Sequence, residues 1–158
     1  MPHKTDTTLT GAAGEHLVLS RLLQRGVMAA PAPRGTSKVD ILVNFLDERQ
    51  PVLLQVKARQ YGPDGGWHMS EKHEGITDPR IFYCFVNFEP EHPTVHVIPA
   101  AVVARVIRQG HQMWLDTPGR NGQPHKPTKM RRITPRAAVM PEGWMNTYLE
   151  GWDQFLDA

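Results

Sequence analysis

The sequence predicts a mixed α/β (α+β) domain in which helices flank a central mixed sheet of four to five strands. Three observations lead there. Apolar residues recur at helical spacing near the start of the chain, after residue 99 and near the end. Short β-rich runs fill the space between the first two of these segments. The elements neither alternate as regular βαβ units nor recur at the even spacing of an all-β fold. A length of 158 residues suits one domain, with a core at about 9–108, a basic loop at 119–136 and a closing helix at 144–156.

The first helix is expected from Leu9 to Arg25, stopped by Gly26. At about 100° per residue, Leu9, Ala12, Val18, Leu19, Leu22 and Leu23 gather on its inward side. VMAAPAP then reads as a first strand, and Lys38 to Phe45 and Val52 to Ala58 as two strands of a hairpin joined by LDERQP. Ile81 to Val86 is a buried strand by composition, and Val95 to Ile98 another. Pro99 opens an amphipathic helix through about Arg108, on which Val102, Val103, Val106 and Ile107 repeat at three- and four-residue spacing. Trp144 to Leu156 reads as one helix with Trp144, Tyr148, Trp152 and Phe155 or Leu156 on a single stripe, which serves the core or a homodimer contact.

Composition bounds the function. Hydrophobic residues at 40% and charged residues at 22% mark a globular chain rather than a disordered one. No apolar run approaches the roughly 18–20 residues of a bilayer span, and MPHKTDTTLTG lacks a signal-peptide core, so a cytoplasmic, membrane-free protein is expected. Cys84 is the sole cysteine, without a partner for a disulfide or a CxxC site, and its apolar run predicts a buried thiol. The eight histidines show no HxH or HExxH spacing, against a zinc site. Ser20 and Ser37 lack a nucleophile-elbow context.

Charge is uneven along the chain. From Gly119 to Arg136 there are six Lys or Arg and no acid. Arg120, His125, Lys126, Lys129, Arg131 and Arg132, interrupted by Gly and Pro, suit a loop lying along a phosphate backbone. Trp67, His68, Ser70, Lys72 and His73 follow the hairpin and are candidates to contact the scissile phosphate or stack on a base. The same run also reads as a surface turn and helix start.

The informative residues are polar ones set against the local pattern. In KVDILVNF, Val39, Ile41, Val43 and Phe45 share one face; in VLLQVKAR, Val52, Leu54, Val56 and Ala58 do. Matching these faces across an antiparallel hairpin requires paired residue numbers to add to an odd value. Asp40 then faces Gln55 in one register and Lys57 in the next, and the three side chains cluster in either. Glu15 lies about 20° from Leu22 on the helical wheel, inside the inward stripe, so its carboxylate needs a cation, a metal or water. A plain ion pair of Asp40 with Lys57 is one reading of the set. Another is a hard divalent cation, Mg²⁺ or Mn²⁺ in its place, on oxygens of Asp40, Gln55, the Val56 carbonyl and Glu15. Lys57 is then placed to activate a water or stabilise charge on a phosphoryl group.

These residues resemble the PD-(D/E)xK nuclease superfamily, of restriction-endonuclease-like fold. The likeness rests on GEHLVLSRLLQRG, the aspartate of RGTSKVDILV and QVKAR, and more loosely on IFYCFVNF and VHVIPAAVVARVI. QVK, a Trp, SEKH, FYCFVNF and HVIPA together resemble a branch of small bacterial proteins in it. The resemblance implies Mg²⁺-dependent hydrolysis of phosphodiester bonds, with DNA as the expected partner, Asp40 as metal aspartate, Gln55 and Lys57 as the x-K pair and Glu15 as helix carboxylate. Gln55 stands where most members carry an acid, as in Q-x-K branches, and Val39 where the name-giving proline stands. Lost charge at Gln55 also fits a nuclease-fold module that binds nucleic acid or a protein partner without catalysis, or one subunit of a larger complex.

Overall fold

A computed structural model describes residues 6–62 and 65–156. The chain opens with helix α1 (Thr7–Gln24), whose N-cap Asp6 accepts the Thr8 amide at 2.8 Å. Gly26, at φ +73°, turns the chain out of it. Strands β1 (Met28–Pro31), β2 (Ile41–Asn44) and β3 (Val52–Gln60) follow. Next come β4 (Trp67–Ser70), a 3₁₀ turn (Glu71–Gly75), β5 (Ile81–Phe88) and β6 (Thr94–Pro99). Helix α2 (Ala100–Asp116), β7 (Met130–Ile133), a second 3₁₀ turn (Trp144–Tyr148) and the short helix α3 (Asp153–Leu156) complete the described chain.

Five strands form one mixed sheet in the order β1-β2-β3-β5-β6. The expected mixed α/β architecture of helices on a four- to five-stranded sheet is present. β3 and β5 run parallel, and every other neighbouring pair is antiparallel. The hairpin pairs Ile41 with Leu54 and Val43 with Val52, so the two apolar faces coincide as parity requires. Two cores lie on opposite sides of this sheet. Val18 and Leu22 of α1, with Trp152 and Phe155, cover Ile41, Val43, Leu54, Cys84 and Val97. On the other side α2, through Val103, Val106 and Ile107, covers Tyr83, Phe85 and Ile98. The residues of β5 from Ile81 to Val86 are all buried because helices close both faces, which explains the unbroken apolar run. Burial also pushes the Cys84 thiol up in pKa, away from reactivity.

Several expectations need correction. The inward row of α1 is Thr10, Gly14, Val18 and Leu22, while Leu9 and Leu23 are exposed at 66% and 53%. Gly14 decides this rotation, because a Cβ there would stand 2.5 Å from the Ala58 Cβ. Only the absence of a side chain lets the helix backbone meet β3 so closely. The basic loop is in part a strand: β7 pairs with β4, setting Trp67 against Ile133 and His68 against Arg132. The closing helix is two short pieces, interrupted where Glu150 adopts φ +47° and Leu149 bridges His96. Its aromatics therefore part company, Trp144 and Tyr148 joining the α2 core and Trp152 and Phe155 the α1 core. Trp144, Trp152 and Phe155 of that stripe are buried in the core.

Candidate active site

Asp40 immediately precedes β2 and is tied to both neighbouring strands. Its amide donates to the Leu54 carbonyl and its carbonyl accepts the Ala32 amide, each at 2.8 Å. Its carboxylate Oδ2 accepts the Val56 amide at 2.7 Å, so the side chain replaces a ladder acceptor at the point where strand pairing ends. Extending the observed register by one residue sets Asp40 opposite Gln55. Of the two registers parity allows, the hairpin takes this one.

Gln55 and Lys57 alternate with the apolar residues of β3 and point to the α2 side, beside Tyr83 and Phe85, their partners on β5. Both are half-buried. The amide oxygen Oε1 of Gln55 is buried with no hydrogen-bond partner among the described residues. Lys57 forms no contact ion pair with Asp40, which sets aside the plain ion-pair reading. Burial pushes the Lys57 pKa down and Lys72 adds to this, against the opposing pull of Asp40. An amine held this way gives up its proton more readily than a surface lysine.

Glu15 is exposed rather than inward, one position along from Gly14 at the margin of the buried row. Partial burial raises its pKa, the negative charge of Asp40 raises it further, and His16 opposes. The two carboxylates thus share one electrostatic neighbourhood. Among the described residues no three His, Cys, Asp or Glu side chains converge as a metal cage. A cation here would rest on the Asp40 and Glu15 carboxylates and on neutral oxygens. The orphaned Gln55 Oε1 and the Val56 carbonyl fit that need, and an all-oxygen, weakly charged donor set suits Mg²⁺ or Mn²⁺ rather than zinc.

The remaining sequence candidates divide by burial. Trp67 is buried at 3%, its indole N–H donating to the Val86 carbonyl at 3.0 Å and its ring under the Arg59 guanidinium, so it cannot stack on a base. Arg131 is equally committed, with Nε 2.6 Å from Glu74 Oε1 and NH1 on the carbonyls of Thr128 and Met130. The His125 ring stacks on Trp114 at 4.0 Å between centroids. Ser70 lends its amide to His73 Nδ1 at 2.9 Å. His68, Lys72, Arg120, Lys126, Lys129, Arg132 and Arg136 are the exposed members of the set, and His68, Arg132 and Arg136 line a groove between α2 and β7. Sequence reading missed Tyr83, whose hydroxyl is buried without a partner beside Gln55. The only signal for it was a phenol inside an otherwise apolar strand.

No family model and no curated protein matches the chain. Among solved structures it is similar to a bacterial homing endonuclease, I-Ssp6803I, with a TM-score of 0.55 at 15% identity, over 96% of this chain and 92% of that one. At that identity the likeness establishes a shared fold along nearly the whole length of both chains.

Proposed function

We propose that the protein is a metal-dependent endonuclease that hydrolyses phosphodiester bonds in DNA. The observation that carries this reading is Lys57, half-buried and unpaired among the described residues in the field of Asp40, beside the orphaned amide oxygen of Gln55. The fold shared with a homing endonuclease supports it. Asp40, Gln55, the Val56 carbonyl and Glu15 hold Mg²⁺ in this reading, with Mn²⁺ as substitute. The bound ion supplies Lewis-acid polarisation of the phosphoryl oxygens and acidifies water. Asp40 orients the site through its bond to the Val56 amide, which also fixes the backbone between Gln55 and Lys57. Lys57 takes a proton from the attacking water or, when charged, neutralises negative charge building on the phosphoryl group. Arg120, Lys126, Lys129, Arg132 and Arg136 contact the phosphate backbone and set affinity rather than sequence preference.

Plasmid and single-stranded DNA incubated with the protein in Mg²⁺ or Mn²⁺ test this. Nicking should vanish with EDTA and in Lys57→Ala; nicking that survives either change rejects the assignment. A second reading, a binding module without catalysis, is favoured by Gln55 in place of an acid. Calorimetry separates the two, because a degenerate site takes up no Mg²⁺ at millimolar concentration while DNA binding persists.

A further inference from the structure

Among the described residues, the buried polar atoms without hydrogen-bond partners on the α2 side of the sheet include Gln55 Oε1, Tyr83 Oη and His73 Nε2. Gln55 and Tyr83 are direct partners across β3 and β5. The His73 ring, on the 3₁₀ turn, meets the Tyr83 ring edge-on at 6.0 Å between centroids. Tyr83 is fully buried and His73 is 3% exposed, so bulk water does not satisfy them. Their chemistry is complementary. His73 Nδ1 accepts the Ser70 amide at 2.9 Å, which leaves the proton of the neutral ring on Nε2 and makes that nitrogen a donor. Burial and the charge of Lys57 both favour the neutral ring. Gln55 Oε1 is only an acceptor, and the Tyr83 hydroxyl is both donor and acceptor. Two donors and an acceptor on neighbouring side chains match in kind the usual coordination of an internal water, which makes about three hydrogen bonds.

We propose that His73 and Tyr83 bind one internal water jointly with Gln55, and so hold the Gln55 amide with its oxygen toward the site. They are positioning residues, acting on the candidate metal ligand through the water that bonds one lone pair of its oxygen. The orientation half of this proposal rests on the nuclease reading; the water half does not. An amide is symmetric in shape, and a flip would present an NH₂ donor where a cation needs an oxygen. A water held by two donor-capable side chains favours the orientation with Oε1 facing it, and the second lone pair of that oxygen stays available.

A crystal structure of the full chain tests the water. Density within hydrogen-bond reach of Nε2, Oη and Oε1 supports it; a dry contact, or side chains bonded directly to one another, overturns it. Nitrogen chemical shifts of His73 should show the neutral ring protonated at Nε2, and the opposite tautomer also overturns it. Calorimetric titration with Mg²⁺ alone tests orientation. Tyr83→Phe should weaken binding roughly tenfold, as loss of partners behind a metal ligand typically does, with its circular dichroism unchanged. His73→Gln, which keeps a donor, should bind Mg²⁺ more tightly than His73→Ala. Equal affinity in wild type and Tyr83→Phe overturns the positioning role. If wild type itself takes up no Mg²⁺, the nuclease reading fails, and the crystal result still decides the water.

Discussion

The two faces of the central sheet are built to different rules. Against α1 and α3 the sheet presents Ile41, Val43, Leu54, Cys84 and Val97, a surface of hydrocarbon and one thiol. Against α2 the same strands interleave Tyr83, Phe85 and Ile98 with Gln55, Lys57 and His96, and the buried atoms left without partners include Gln55 Oε1, Tyr83 Oη and His96 Nδ1. A buried polar atom without a partner costs about 1–3 kcal/mol, so a purely structural face would shed such groups. One face is therefore built of hydrocarbon, and the other holds polar groups that packing alone does not call for, as the proposed function expects.

Substitutions on each face should break this contrast. The largest expected effect is at Lys57. Lys57→Met should lower DNA cleavage about a hundred- to ten-thousandfold, the usual contribution of a proton-transfer group, while its melting temperature stays level or rises because a half-buried cation is removed. Parallel loss of melting temperature and activity would make Lys57 a structural residue. On the opposite face, Leu22→Ala should cost about 2–5 kcal/mol in urea unfolding and leave cleavage per folded molecule unchanged. A comparable loss of turnover in the folded fraction would show the faces to be coupled.

Smaller effects sharpen the picture. Arg131→Ala should cost about 1–3 kcal/mol by stripping Glu74 of its partner, whereas Lys129→Ala should leave stability alone and reduce the salt dependence of DNA binding by about one unit of slope. Lys57 also sets a pH signature. Its pKa is lower in the folded chain than the ordinary 10.5, so between the two values the unfolded chain holds more protons and stability rises with pH. That rise should be absent in Lys57→Met. Asp40→Asn should lower the Lys57 pKa further and bring Glu15 back toward its ordinary value, because Asp40 raises both; carbon shifts of the two side chains would read this. Unmoved shifts would separate Asp40 from the cluster.

Much of the hairpin was legible because strand alternation is a local property. Two apolar faces that must coincide leave few registers, and the Asp40, Gln55 and Lys57 neighbourhood follows from parity alone. The rotation of α1 was not legible. Leu9 and Leu23 satisfy the helical period as well as Leu22 does, and only the close approach at Gly14 selects among them. Trp67 and Arg131 read as nucleic-acid contacts because composition cannot reveal a partner such as the Val86 carbonyl or Glu74. The β4 and β7 pair escaped notice for the same reason, since strands so far apart in sequence are short and recognise each other only after the chain returns.

Composition and period by themselves determined a globular α/β chain, its main strands and the three polar residues at the hairpin, because those depend on neighbours within a few residues. Tertiary packing decided which face each helix buries, that the C-terminal aromatics divide between two cores, and that Tyr83 pairs with Gln55 and meets the His73 ring. Those outcomes depend on how closely distant backbones can approach, and excluded volume between them is written in no local stretch of sequence.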